Sequence, residues 1–306
     1  MLRLSRILAG CWFAVTVVSC GGSPNASPPN ESGGDAAQAN ATPRIVSMGP
    51  NITETVFALG MGHCIVGVSS YCDYPSEVNA IQKVGGPFDA DKEAITMLAP
   101  DLLLLQGQIQ DLADLGRQIG ARVVSVDMDS LASIDAGIAT IGEVLACATK
   151  ADALRNEIQQ ELASIRDAVS DKPKRRVLII TGRSTHNLDS LFTVGSQSFV
   201  SELVEVAGGE NIFGDVDADY FEASKESVVA KAPEVILEFH AGENLSAEEQ
   251  AAFIADWKGL ASLPAAQNGE IHLLLESYTL RPGPRVAKTA ADIAALLHPG
   301  IQVQAP

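Results

Sequence analysis

Short apolar runs alternate along this chain with stretches whose apolar residues recur at helical spacing. Arg44 to Met48, Ile65 to Ser69, Asp101 to Leu105 and Ala121 to Val126 are brief runs bounded by turn-forming residues. The segments between them carry the period of amphipathic helices. This alternation predicts parallel strands joined by crossover helices. Arg176 to Thr181, Val235 to Phe239 and Glu270 to Leu275 form a second series with helices between and after them. The expected fold class is therefore α/β, with two Rossmann-like lobes built on parallel-rich sheets.

The segment between the two series has a different character. From Thr149 to Ser170, Leu154, Ile158, Leu162, Ile165 and Val169 recur at intervals of four, four, three and four, and charged residues fill the other faces. That pattern predicts one amphipathic helix, stopped by Pro173, of roughly 22 residues and about 33 Å. A helix of this length makes a stiff strut between lobes. The expected boundaries are residues 43–145 for the first lobe, 146–172 for the linking helix and 173–300 for the second lobe.

The lobes also repeat one another. Lys92 to Leu104 reads KEAITMLAPDLLL and Lys225 to Leu237 reads KESVVAKAPEVIL. Both start a helix with Lys-Glu, stop it at Ala-Pro and enter a buried strand after an acidic residue. Ile52 to Gly67 and Phe199 to Gly214 form a second matching pair in the same order. Two ordered matches favour duplication over chance.

The N-terminus is organised for export. Arg3 and Arg6 precede an apolar run from Ile7 to Val18, the layout of a signal peptide too short to span a membrane comfortably. Val17-Val18-Ser19-Cys20-Gly21 looks like a bacterial lipobox, so residues 1–19 are expected to be removed and Cys20 lipidated. Residues 20–42 are rich in Gly, Ser, Asn, Pro and Ala, and read as a disordered tether. The remaining cysteines, Cys64, Cys72 and Cys147, are odd in number and leave at least one thiol free. A Cys72–Cys147 bond is left open.

Of the 306 residues, 46% are hydrophobic and 19% charged, enough apolar material for about two domains. The formal charge of −17 argues against a nucleic-acid surface and weakly against a highly anionic ligand. No nucleophile elbow, phosphate loop or zincin helix is present, and Val194 to Ser198, VGSQS, lacks the elbow's final glycine. The chain is expected not to be an enzyme. No His-x-His or paired-Cys pattern supports a metal site of the protein's own.

Several stretches together carry a family resemblance: RIVSMGPNITETVFALG, VGVSSYCDYPSE, KEAITMLAPDLLLL, VAGGENIF, WKGLASLPAAQNGEIHLL and RPGPR. From Pro43 to Pro299 the chain resembles the periplasmic binding proteins for vitamin B12 and ferric siderophores, the long-helix class of receptors that serve ABC importers. The resemblance implies a ligand gripped between the lobes by strand-end loops. Its contacts would come from Asn51, Tyr71, Phe88, Gln106, Phe192, Tyr220, Tyr278 and Arg281; His240, which follows the apolar run VILEF, is expected at the cleft mouth from its position alone. Phe88 stands one residue beyond the position, here Pro87, where the vitamin B12 proteins have a tryptophan, and Gln106 also falls where an aromatic residue is expected. Tyr220 replaces a further tryptophan. Glu93 and Glu226 would meet arginines of the permease dimer, one from each lobe.

A corrinoid suits such a set, since a flat macrocycle with amide arms takes aromatic faces and a few edge donors. Ferric siderophore and haem remain the alternatives, with Arg183 and Arg281 as candidate cations for an anionic chelate. A surface lipoprotein that binds another protein is the more distant one. No resident cofactor is expected, because the cobalt or iron would belong to the ligand. The expected partners are the chelate, the permease and the lipid anchor, with the receptor itself a monomer.

Overall fold

The computed structural model describes residues 42–301. The signal segment 1–19, the lipidation site Cys20 and all but the last residue of the proposed tether lie outside the described residues.

The first lobe runs β1 (Ile45–Ser47), α1 (Pro50–Ala58), β2 (Ile65–Val68), β3 (Gln82–Lys83), α2 (Lys92–Met97), β4 (Leu102–Gln106), α3 (Gln110–Ile119) and β5 (Arg122–Val126). Its sheet has the order β3-β2-β1-β4-β5, and every pairing is parallel. Helices α4 (Leu131–Val144) and α5 (Ala148–Val169) follow. The second lobe contains β6 (Arg175–Gly182), β7 (Leu191–Val194), α6 (Phe199–Val206), β8 (Gly209–Asn211), β9 (Tyr220–Ala223), α7 (Lys225–Lys231) and β10 (Val235–Phe239). It closes with α8 (Ala247–Lys258), α9 (Pro264–Asn268), β11 (Ile271–Leu274) and α10 (Val286–Leu297). Here the order is β11-β10-β6-β7-β9, with β8 parallel to the first residues of β6 and β7 antiparallel to its last.

The continuous apolar runs are explained by burial on both faces of each sheet. Leu102 and Leu104 point into a central core, while Leu103 and Leu105 point into a core on the outer side of the first sheet. Val177 and Ile179 join the same central core, and Leu178 and Ile180 face a third cluster around Trp257. The central core is therefore shared by both lobes. It runs across Ile158, Leu162, Ile165 and Val169 of α5 and takes in residues of α6 and α10. The linking helix has 22 residues and packs against α4, α6 and α10, so it is embedded between the sheets along its apolar face.

The duplication extends to hydrogen bonds. The Arg44 guanidinium donates to the carbonyl of Leu98, and Arg176 donates to that of Lys231, in each case at the end of the helix before Ala-Pro. The Arg44 amide donates to Asp101 at 2.8 Å and the Arg176 amide to Glu234 at 3.0 Å. Ala99 and Ala232, one before each proline, both take left-handed backbone angles, with φ of 42° and 45°. β2 and β8 also take equivalent places, each parallel to the first strand of its own lobe.

Candidate ligand-binding cleft

In a sheet of order 3-2-1-4-5 the connections reverse direction between strands 1 and 4, and a crevice opens there beyond their carboxyl ends. Asn51, in the first turn of α1 after β1, and Gln106, the last residue of β4, stand at that point. The structure brings the two together: Asn51 Nδ2 donates to Gln106 Oε1 at 2.7 Å and to the carbonyl of Pro282, from the second lobe, at 3.2 Å. Gly283 lies against the Asn51 backbone, where a Cβ would sit 3.4 Å from Asn51 Cα. Asn51 is thus a buried clasp between lobes, with its donor already occupied.

Aromatic rings stand exposed on both lobes. Tyr71, 64% exposed, follows β2 and lies beside Gly86, while Phe88, fully exposed, sits on the turn that leads to α2. In the second lobe β7 and β9 form an antiparallel ribbon in which Phe192 is opposite Glu222 and Val194 is opposite Tyr220. Side chains of directly paired residues share a face, so Phe192 and Tyr220 are diagonal neighbours on one side of the ribbon. They are 50% and 54% exposed. The Tyr220 hydroxyl is pushed above its ordinary value, first by burial and then by Asp129 and Asp219, against an opposing effect of Ser198.

Three more residues expected in the cleft already have protein partners. His240 is 5% exposed, with its two ring nitrogens 3.0 Å from Glu243 and 3.1 Å from Glu238 and its ring 4.3 Å from that of Phe253. No nitrogen is left to reach a metal. Tyr278 is buried and donates to Asp292 at 2.6 Å; burial and that carboxylate drive its hydroxyl far up. Arg281 forms a two-point pair with Asp73 and also contacts Glu54 at 3.2 Å. Arg183 is likewise unavailable, because its side chain is fully enclosed against Glu238, Asp256 and the ring of Phe253.

Arg281 belongs to a junction that the chain pattern does not reveal. Glu54, buried in α1, accepts from Arg285 at 2.8 and 2.6 Å, and Arg285 lies 4.0 Å over the ring of Tyr74. These contacts fasten the 276–286 segment to the first lobe, next to the Asn51 clasp. At the opposite side the Phe199 amide donates to the Asp129 carbonyl at 2.8 Å, and the Leu131 amide donates to Glu202.

Glu93 and Glu226 occupy the first turns of α2 and α7. Both are exposed, and neither has an ion pair among the described residues. The helix macrodipole favours a carboxylate at either position. A separate hollow of about 540 Å³ lies between α4 and α5, lined by Leu131, Ile134, Ile138, Ile158 and Leu162 beside the Asp135–Arg155 pair. It is formed by helix flanks and not by strand ends. Among the described residues no group of three or more His, Cys, Asp or Glu is placed to hold a metal ion, and Cys64, Cys72 and Cys147 are free thiols. No described helix is long and apolar enough to cross a membrane.

Two α/β lobes that share a core along one long helix, with exposed aromatic rings at strand ends on both sides, define a two-lobed solute receptor. The chain belongs to the periplasmic binding protein family, whose model matches residues 45–278. This is a family of substrate-binding transport proteins and not of enzymes. The chain is 29% identical over 264 residues to the vitamin B12-binding protein of Salmonella paratyphi A, covering 84% of this chain and 91% of that one. It is 27% identical over 262 residues to a cobalamin-binding protein of Halobacterium salinarum, covering 83% and 69%. Among solved structures, the periplasmic vitamin B12-binding protein of Vibrio cholerae superposes with a TM-score of 0.68 at 26% identity, covering 83% of this chain and 96% of that one. The periplasmic haem-binding protein of Roseiflexus sp. RS-1, in its apo form, gives 0.71 at 26% identity, covering 84% and 98%.

Proposed function

We propose that this protein is the receptor of an ABC importer, that it captures a metal chelate between its lobes, and that a corrinoid is the favoured ligand. The observation that carries this reading is the pairing of exposed rings at strand ends, Tyr71 and Phe88 on one lobe and Phe192 and Tyr220 on the other. Such rings suit a flat apolar macrocycle, and Gln106 at the switch point offers an edge amide. Relatives that bind vitamin B12 or cobalamin add weight. In the same reading Cys20 carries the lipid anchor, and Glu93 and Glu226 meet the permease at pseudo-equivalent places. A haem or ferric-siderophore ligand is the second reading, supported by the likeness to the Roseiflexus haem-binding structure.

A thermal-shift panel with cyanocobalamin, cobinamide, haem and ferric siderophores separates these readings. A ligand at a hundred times its Kd stabilises the native state by about 2.7 kcal/mol. The corrinoids should raise the midpoint most. A midpoint raised only by haem or a siderophore would replace the corrinoid, and no rise with any chelate would reject the metal-chelate reading.

A further inference from the structure

The evident cations near the cleft are already neutralised. Arg281 is held by Asp73 and Glu54, and Arg183 is enclosed with Glu238 and Asp256. Carboxylates on the other side of the junction have no such partners. Asp127 and Asp129 leave the carboxyl end of β5, and Asp219 immediately precedes Tyr220 at the start of β9.

Backbone contacts draw Asp129 and Asp219 to one turn. The Phe199 amide donates to the Asp129 carbonyl at 2.8 Å, and the Gly195 amide donates to the Asp219 carbonyl at 3.1 Å. Gly195 has to be glycine here, since a Cβ would come within 2.4 Å of the Val216 carbonyl oxygen and 2.5 Å of that of Ala218. The 216–219 loop is therefore pressed closely onto the 195–199 turn. The Asp129 carboxyl is raised above its ordinary value, first by burial and then by Asp127 and Asp219. None of the three has an ion pair among the described residues. The half-exposed ring of Tyr220 is thus bordered by uncompensated negative charge.

We infer that Asp129 and Asp219 select ligands by charge, admitting neutral or cationic chelates to the Tyr220 ring and turning away anionic ones. The inference rests on the receptor reading above and narrows its substrate class. A neutral macrocycle edged with amides meets no penalty there. A ferric catecholate, or a macrocycle with ionised carboxylates, meets like charge without a counter-ion. Asparagine keeps the shape and the backbone carbonyl of each aspartate, so Asp129→Asn and Asp219→Asn remove charge alone.

The test is titration of the full chain, as wild type, each single variant and the double variant, with two probes: neutral cyanocobalamin and a trianionic ferric hexadentate tris-catecholate. Cyanocobalamin should bind all four proteins within about twofold. Tris-catecholate affinity, weak or absent in the wild type, should rise roughly tenfold for each carboxylate neutralised at low ionic strength, and most of that gain should vanish near 1 M salt, where the screening length is about 3 Å. If one variant does not fold, the other still reports. Tris-catecholate binding to the wild type as tightly as cyanocobalamin, or unchanged by either substitution, overturns the inference and leaves the receptor intact. Failure of both probes on all four proteins rejects the corrinoid and catecholate readings and the inference with them.

Discussion

Removing the Glu54 carboxylate should loosen the junction between the lobes far more than removing a surface charge would. The Glu54 side chain is 3% exposed and accepts three hydrogen bonds, two from Arg285 and one from Arg281. In Glu54→Ala, Arg281 keeps Asp73, whereas Arg285 is left with only the rings of Tyr74 and Tyr278. Breaking a buried pair from one side costs about 3–5 kcal/mol. The ring contacts offset about 1 kcal/mol of that. The net loss is then about 3 kcal/mol, or roughly a 6 °C fall in midpoint for a chain of this size. Urea unfolding, compared at constant slope, measures the loss. The double variant Glu54→Met with Arg285→Leu leaves less charge unpaired and should recover most of it. A loss below about 1 kcal/mol in Glu54→Ala would refute the idea that this cluster ties the lobes together. A double variant as unstable as the single one would show that packing, not unpaired charge, sets the cost.

Stability should depend on pH at both ends. Arg281 holds the Asp73 carboxyl below its ordinary 3.8, so its contribution is complete above that value and disappears as pH falls through the depressed one. Burial alone would lower His240, but Glu238 and Glu243 outweigh it and raise the ring above 6.5; that contribution is complete below pH 6.5 and lost as pH climbs through the raised value. Thermal midpoints of wild type, Asp73→Asn and His240→Gln across pH 3 to 9 check both limbs, each variant flattening its own. Glu93→Arg with Glu226→Arg should abolish uptake in cells while chelate affinity stays within about twofold, since both carboxylates are exposed and neither is among the expected ligand contacts; affinity lost together with uptake would reject a docking role. Ala99→Gly and Ala232→Gly should each raise stability by about 1 kcal/mol, because both alanines hold left-handed angles at helix ends. Unchanged or lowered denaturation midpoints would contradict that.

The parallel strands were legible because their residues are buried on both faces and so run apolar without interruption. The long helix was legible from the spacing of Ile158, Leu162, Ile165 and Val169, all buried in the central core. The antiparallel β7–β9 ribbon was not, since β9 has one exposed face and reads as a polar loop. Its alternation is nonetheless present: Tyr220 and Glu222 point outward, and Ala223 is buried. Ion pairs separated by more than 200 residues, such as Glu54 with Arg285, leave no local trace in a sequence. His240 was read as a cleft residue from its place after β10, and Arg183 as a candidate cation for an anionic chelate. Glu238, buried inside β10, needs counter-charges, and the two residues turn inward to supply them with Trp257 as a third donor. Asp127 and Asp129 could have been flagged from their place at the end of β5, where a crevice residue is expected.

The account's central claim is the location of the ligand. A crystal structure of the chain loaded with cyanocobalamin should place the macrocycle between the lobes, in contact with Tyr71 on one side and with Phe192 and Tyr220 on the other. Cyanocobalamin seated in the hollow between α4 and α5, with those rings left bare, would contradict it.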